Sequence, residues 1–175
     1  MRWPLRDVSP AFPDPPGAFG AVRRHDVHTG VDLYCPEGTG VVAVEPGQVV
    51  AIVPFTGPEA ESPWWEPTDA VLVEGDSGVW LYGEVRPGVR PGDRLAAGDP
   101  VGTVTRVLRH DKGLPTVMLH VERYVAGTRA PVWWRHGEPL PEGLLDPTPL
   151  LVEAAALTPR RGPDGARGGT SRGRR

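Results

Sequence analysis

The chain has 175 residues, room for one domain with a real core and little for two. Gly (23) and Pro (22) supply about a quarter of it, and the net charge of −3 averages two unlike parts: Thr158 to Arg175 holds six Arg and one Asp, so the body before it is markedly acidic. An acidic body argues against a nucleic-acid-binding core, and the lone Cys35 excludes an internal disulfide or a cysteine zinc cluster. Residues 1–18 form a Pro-rich lead-in, with Pro13, Pro15 and Pro16 preventing regular structure. Val41–Val44 and Val49–Val53 read as strands around the turn Glu45-Pro46-Gly47-Gln48. A Pro-rich loop with Trp64-Trp65 follows, then a hairpin of Ala70–Glu74 and Val79–Tyr82 around Gly75-Asp76-Ser77-Gly78. Two Gly-centred turns lie between Arg90 and Gly102, another strand begins at Thr103-Val104, and His110-Asp111-Lys112-Gly113 is a loop. The last strand is Thr116–Val125. Only Leu144–Leu157 has helical character, which Pro147 and Pro149 hold to a turn or two. The fold class is all-β: a domain over 19–157 made of short strands, followed by a disordered Arg/Gly-rich tail over 158–175.

The strand at 116–123 is the most informative. Alternation puts Val117, Leu119 and Val121 on a core face and Thr116, Met118, His120 and Glu122 on the other. Upstream, an extended His28-Thr29-Gly30-Val31-Asp32 places an imidazole and a carboxylate on one face, with Gly30 between them leaving room for a shared ion. Two such ligands need a distant third to make an open metal site. By spacing alone, a loop histidine with a local hydrogen bond is the better fit for His28, and a structural or solvated strand histidine for His120.

Phe19-Gly20 leading to His28-x-x-x-Asp32 resembles the opening motif of the lysostaphin-type (glycyl-glycine endopeptidase, LytM-like) zinc metallopeptidases. Gly38 to Val50, Pro91 to Gly102, Leu119-His120-Val121-Glu122 and Leu145-Asp146-Pro147 resemble that family's later segments, in the same order, over residues 19–151. The resemblance implies a compact antiparallel β-sandwich with a central groove. It implies Zn2+ on His28, Asp32 and His120, and zinc-assisted hydrolysis of a peptide or peptidoglycan-like substrate. The sequence departs from the family at two places. Met118 stands where the first His of His-x-His is expected, and Glu84 where the His of Tyr-x-His is expected. Methionine neither takes nor gives a proton. Glu84 is the replacement base on this reading, and His110 is a second catalytic candidate that folds over the groove. Glu122 either orients His120 or faces solvent. Trp64-Trp65 and Trp133-Trp134 either wall a groove or pin loops.

Three functions remain open on the sequence. One is a zinc hydrolase with atypical catalytic residues. Another is a catalytically inactive zinc-binding module for a ligand or protein. The third is an adaptor whose basic tail makes weak, salt-sensitive nucleic-acid contacts. No apolar run has the length of a membrane span and no leader is visible, so a cytoplasmic location without membrane contact is expected.

Overall fold

The structure is a computed structural model of the chain, and it describes residues 1–110 and 116–158. Asp111 to Pro115 and the basic tail from residue 159 onward lie outside the described residues, and with them the expected tail contacts to nucleic acid.

Among the described residues, nine strands and one α-helix follow the punctuation of Gly and Pro. They are β1 (Val31–Tyr34), β2 (Gly40–Val42), β3 (Gly47–Thr56), β4 (Thr68–Gly75), β5 (Gly78–Pro87), β6 (Arg94–Leu95), β7 (Pro100–Val104), β8 (Met118–Tyr124), β9 (Leu144–Leu145) and α1 (Thr148–Ala156). All pairings are antiparallel, in the order β1-β8-β5-β4-β3-β6, with β2·β7 joined to the end of β5 and β9 added to β8. The all-β antiparallel class expected from the sequence is the one observed. The long hairpin β4–β5 turns through Asp76-Ser77, where the carboxylate of buried Glu45 accepts from the Ser77 amide and hydroxyl and from the Trp80 indole. A buried carboxylate is tolerable there because its Oε1 accepts three hydrogen bonds.

Alternation divides the sheet into two faces. Val31, Leu33, Val71, Val73, Trp80, Tyr82, Leu119 and Val121 pack against Val41, Val101 and Val104 of the β2·β7 layer to form the main core. Ala70, Leu72, Val79, Leu81 and Tyr124 point the other way and are covered by Phe19, Phe55 and Trp134. Each large side chain so buried contributes about 1.5–3 kcal/mol. The N-terminal segment belongs to this core: Trp3 and Leu5 are buried in it, and Leu5 bridges to Val41. Helix α1 runs nine residues, longer than the turn or two expected, because Pro147 and Pro149 fall at its N-terminal end, where a missing amide costs nothing. Leu151 and Ala154 anchor it. Among the described residues no helix is long and apolar enough to cross a membrane.

Candidate metal centre

Strands β1 and β8 pair with Asp32 opposite His120, and β8 and β5 pair with His120 opposite Gly83. Directly opposed residues share a face, so Asp32, His120 and the bare Gly83 form one row across the sheet. This is the second face, the one that carries Tyr124. Glu122 lies one row along, again facing this side. The strand face that carries the polar residues is buried: His120 is 6% exposed and Glu122 1%. Gly30 occupies the adjacent position, and a Cβ there would come within 2.4 Å of the Val121 carbonyl and 2.8 Å of His120 Nε2. Its bareness therefore clears the His120 ring and the neighbouring backbone.

His28, just before β1, turns its ring into the same spot. His28 Nε2 lies 3.1 Å from His120 Nδ1 and 3.2 Å from Asp32 Oδ1, and His120 Nδ1 lies 2.8 Å from Asp32 Oδ1. The outer nitrogens fix the tautomers. His28 Nδ1–H donates to the Ala18 carbonyl at 2.9 Å, and His120 Nε2–H donates to Glu122 Oε1 at 3.0 Å. In the neutral tautomers those partners select, two imidazole lone pairs and a carboxylate oxygen converge on one point. Glu122 is held in turn by the hydroxyls of Thr29 and Tyr124. A histidine braced by a carboxylate is the usual support for a metal-binding imidazole.

The three donors fit a small cation. Metal–donor bonds of about 2.0–2.1 Å in a tetrahedral site separate the donors by about 3.3 Å. The observed edges of 2.8, 3.1 and 3.2 Å need only a few tenths of an ångström of expansion. The electrostatics agree. Burial lowers the pKa of His28, and the Asp32 carboxylate offsets this only in part, so the ring is neutral. Burial alone would lower His120 as well, but the Asp32 and Glu122 carboxylates push it up to about 10. Burial raises Asp32, yet its hydrogen bonds to His120 and His28 outweigh this and hold it well below the usual carboxylate range. Without a metal, a proton on His120 takes the cation's place. A metal displaces it.

Glu84 sits beside this group. In β5 the register shifts so that Gly83 and Glu84 together oppose Ala70 of β4, which makes a bulge. Glu84 adopts φ +61°, the left-handed region that costs a side-chain-bearing residue about 1–2 kcal/mol. It is buried, its Oε2 has no hydrogen-bond partner, and its backbone carbonyl accepts from Thr105. Burial first, and the charge of Asp32 second, push its pKa up to about 8, with His120 and Arg23 offsetting part of that.

Met118 is half-buried in β8, opposite Tyr34. His110 is exposed on the loop after β7, next to Arg109, whose side chain reaches the Trp65 carbonyl. Trp134 packs on Phe19 and its backbone carbonyl accepts from Val27, so it pins the 21–28 loop. Trp64 and Trp133 are well exposed, 63% and 69%. Sequence reasoning missed Arg23, which pairs with Asp32, and Phe55, whose ring lies 5.2 Å from that of His120. It also missed the carbonyls of residues 16–18 that support the site. Thr29 and Tyr124 carry some signal, as hydroxyls next to a ligand and on the ligand strand. Arg23 carries none.

No protein-family model matches the sequence, and no curated protein matches it significantly. Solved structures do match. The catalytic domain of a point mutant of the prophage-encoded M23 protein EnpA from Enterococcus faecalis aligns with a TM-score of 0.50 at 22% identity, over 80% of this chain and 95% of its own. Lysostaphin in solution aligns with a TM-score of 0.51 at 20% identity, over 86% of this chain and 51% of its own. A Pseudomonas aeruginosa protein assigned to peptidase M23 aligns with a TM-score of 0.50 at 18% identity, over 88% of this chain and 50% of its own. The chain thus spans about half the length of the last two. At these identities the likeness is one of architecture: the chain has the fold of the lysostaphin-type, M23 peptidases.

Proposed function

We propose that this chain is a zinc-binding, metallopeptidase-like hydrolase that cleaves a peptide or related amide bond. The observation that carries the reading is the convergence of His28 Nε2, Asp32 Oδ1 and His120 Nδ1 with all outward ring protons already committed. Zinc supplies a Lewis acid that polarises an amide carbonyl. The protein's own residues do the rest. Ala18 and Glu122 keep the two rings in the metal-binding tautomer. Glu84, buried beside the cluster with an unpartnered oxygen, would accept a proton from the attacking water and pass it to the leaving amine. Phe55 and the loops over the second face restrict water around it.

The fold's neighbours include a protein assigned to peptidase M23, which supports a peptide or peptidoglycan-like substrate here. His110 enters the same proposal as a loop residue that closes over bound substrate. The cytoplasmic location expected from the sequence is also part of it, and cell fractionation checks that. The second reading, an inactive zinc-binding module for a ligand or protein, draws on one observation: Met118 offers no proton on the strand that carries His120, two residues before it. One experiment separates the two. Purified chain with zinc is given Gly-rich peptides and peptidoglycan fragments. Hydrolysis that disappears in Glu84→Gln supports the enzyme. Zinc bound without turnover supports the inactive module, and a chain that takes up no zinc ends both.

A further inference from the structure

Arg23 stands at the site with no part in the chemistry above. Its Nε–H donates to the Pro16 carbonyl at 3.0 Å, and its terminal nitrogen contacts Asp32 Oδ2. The next two carbonyls of the lead-in also reach the site. Gly17 O accepts from the Asp32 amide at 2.9 Å, and Ala18 O accepts from His28 Nδ1–H at 2.9 Å. Three consecutive carbonyls therefore hold three different things: the Arg23 guanidinium, the Asp32 backbone and the His28 tautomer. The turn is tightly packed, since a Cβ on Gly17 would lie 2.8 Å from Pro13 Cβ and 3.3 Å from the Tyr34 hydroxyl.

We propose that Arg23, braced on the Pro16–Ala18 turn, is a positioning residue for the metal: it occupies Asp32 Oδ2 so that Oδ1 faces the two ring nitrogens. This inference rests on the metal reading above. Asp32 has two equivalent oxygens and a freely turning carboxylate plane. With Oδ2 taken and the backbone amide tied, one oxygen is presented to the cluster. The guanidinium suits this because its donors diverge in a fixed plane, one to Pro16 and one to Asp32, which a lysine ammonium on a flexible stem cannot reproduce. As an ion pair the contact adds little stability, since the Arg23 side chain is 31% exposed. Its effect lies in the geometry of Asp32. The Pro-rich lead-in then acts as a working part of the metal centre.

The test uses Co2+ as a coloured probe on the full metal-free chain, with affinity measured against a competing chelator and the visible spectrum recorded. Arg23→Ala is expected to bind Co2+ about 10–100-fold more weakly than wild type, with altered visible bands, as losses of such supporting contacts commonly do. Arg23→Lys is expected to recover only part of that loss. Thermal melts in chelator establish that each variant is folded, and should Arg23→Ala not fold, Arg23→Lys and Arg23→Gln carry the comparison. Wild-type affinity and spectrum in the variants, or full recovery by Arg23→Lys, overturns the inference. Failure of the wild type itself to bind Co2+ overturns the metal reading beneath it, a result distinct from the variants matching a wild type that binds.

Discussion

Glu84→Gln, studied without metal, tests the electrostatics of the site. The wild-type carboxyl is buried, has one oxygen without a partner, and has a pKa pushed up from 4.5 to about 8. In the unfolded chain it releases its proton near 4.5, while the folded chain keeps it to about 8. Between those values the folded state binds more protons than the unfolded state, so stability falls as pH rises. The contribution is fully present below the lower pKa and is lost as pH passes the upper one. At 1.36 kcal/mol per unit, the loss between pH 5 and pH 8 reaches about 3.5 kcal/mol, and relaxation that admits water to the carboxyl brings it to about 2–4 kcal/mol. Glutamine has nearly the same volume and the same backbone strain at φ +61°, but no charge to desolvate. The stability of Glu84→Gln relative to wild type should therefore rise by about 2–4 kcal/mol from pH 5 to pH 8. Urea unfolding in chelator at four pH values, followed by tryptophan fluorescence, measures this. Taking the difference removes the titrations of groups that do not interact with Glu84, which both proteins share. A gap that stays constant with pH would show that Glu84 is hydrated in the folded chain, and the argument for a poised base would fail with it.

Other perturbations separate the metal site from the core. Elemental analysis should find about one zinc per wild-type chain and little in His28→Ala or His120→Ala, since two remaining donors do not hold the ion. Glu122→Gln should lower zinc affinity by about 10–100-fold in calorimetry, because the imidazole of His120 loses the anion that accepts its outer proton. Gly30→Ala should cost about 1–3 kcal/mol in chelator melts and weaken zinc as well, since its new methyl meets the Val121 carbonyl and His120 Nε2. Leu119→Ala removes a fully buried side chain of the main core and should cost about 2–5 kcal/mol while leaving zinc stoichiometry unchanged.

The fold was legible in the sequence because it is written in short-range signals, whereas the candidate trio of His28, Asp32 and His120 came from the family resemblance and not from spacing. Gly75-Asp76-Ser77-Gly78 between two Val-rich runs is a hairpin by turn chemistry alone, and Leu119 and Val121 alternate with His120 and Glu122 at the strand period. Glu122 left two possibilities open on the sequence, and the hydrogen bond to His120 decides between them. The features that went unread are those where the chain contradicts its local preference or reaches far along the sequence. Nothing in Tyr82-Gly83-Glu84 announces a bulge, because a glutamate with positive φ is disfavoured locally and persists only where surrounding pairings on both sides of β5 hold it. The support from residues 16–18 is carried by backbone carbonyls, which every sequence has and no motif marks. Arg23 becomes a neighbour of Asp32 only once that turn exists. These two silent features border the same site. At Glu84 the chain accepts backbone strain and an unpartnered buried oxygen together, and sequences retain such conflicts where the site, rather than the fold, needs them.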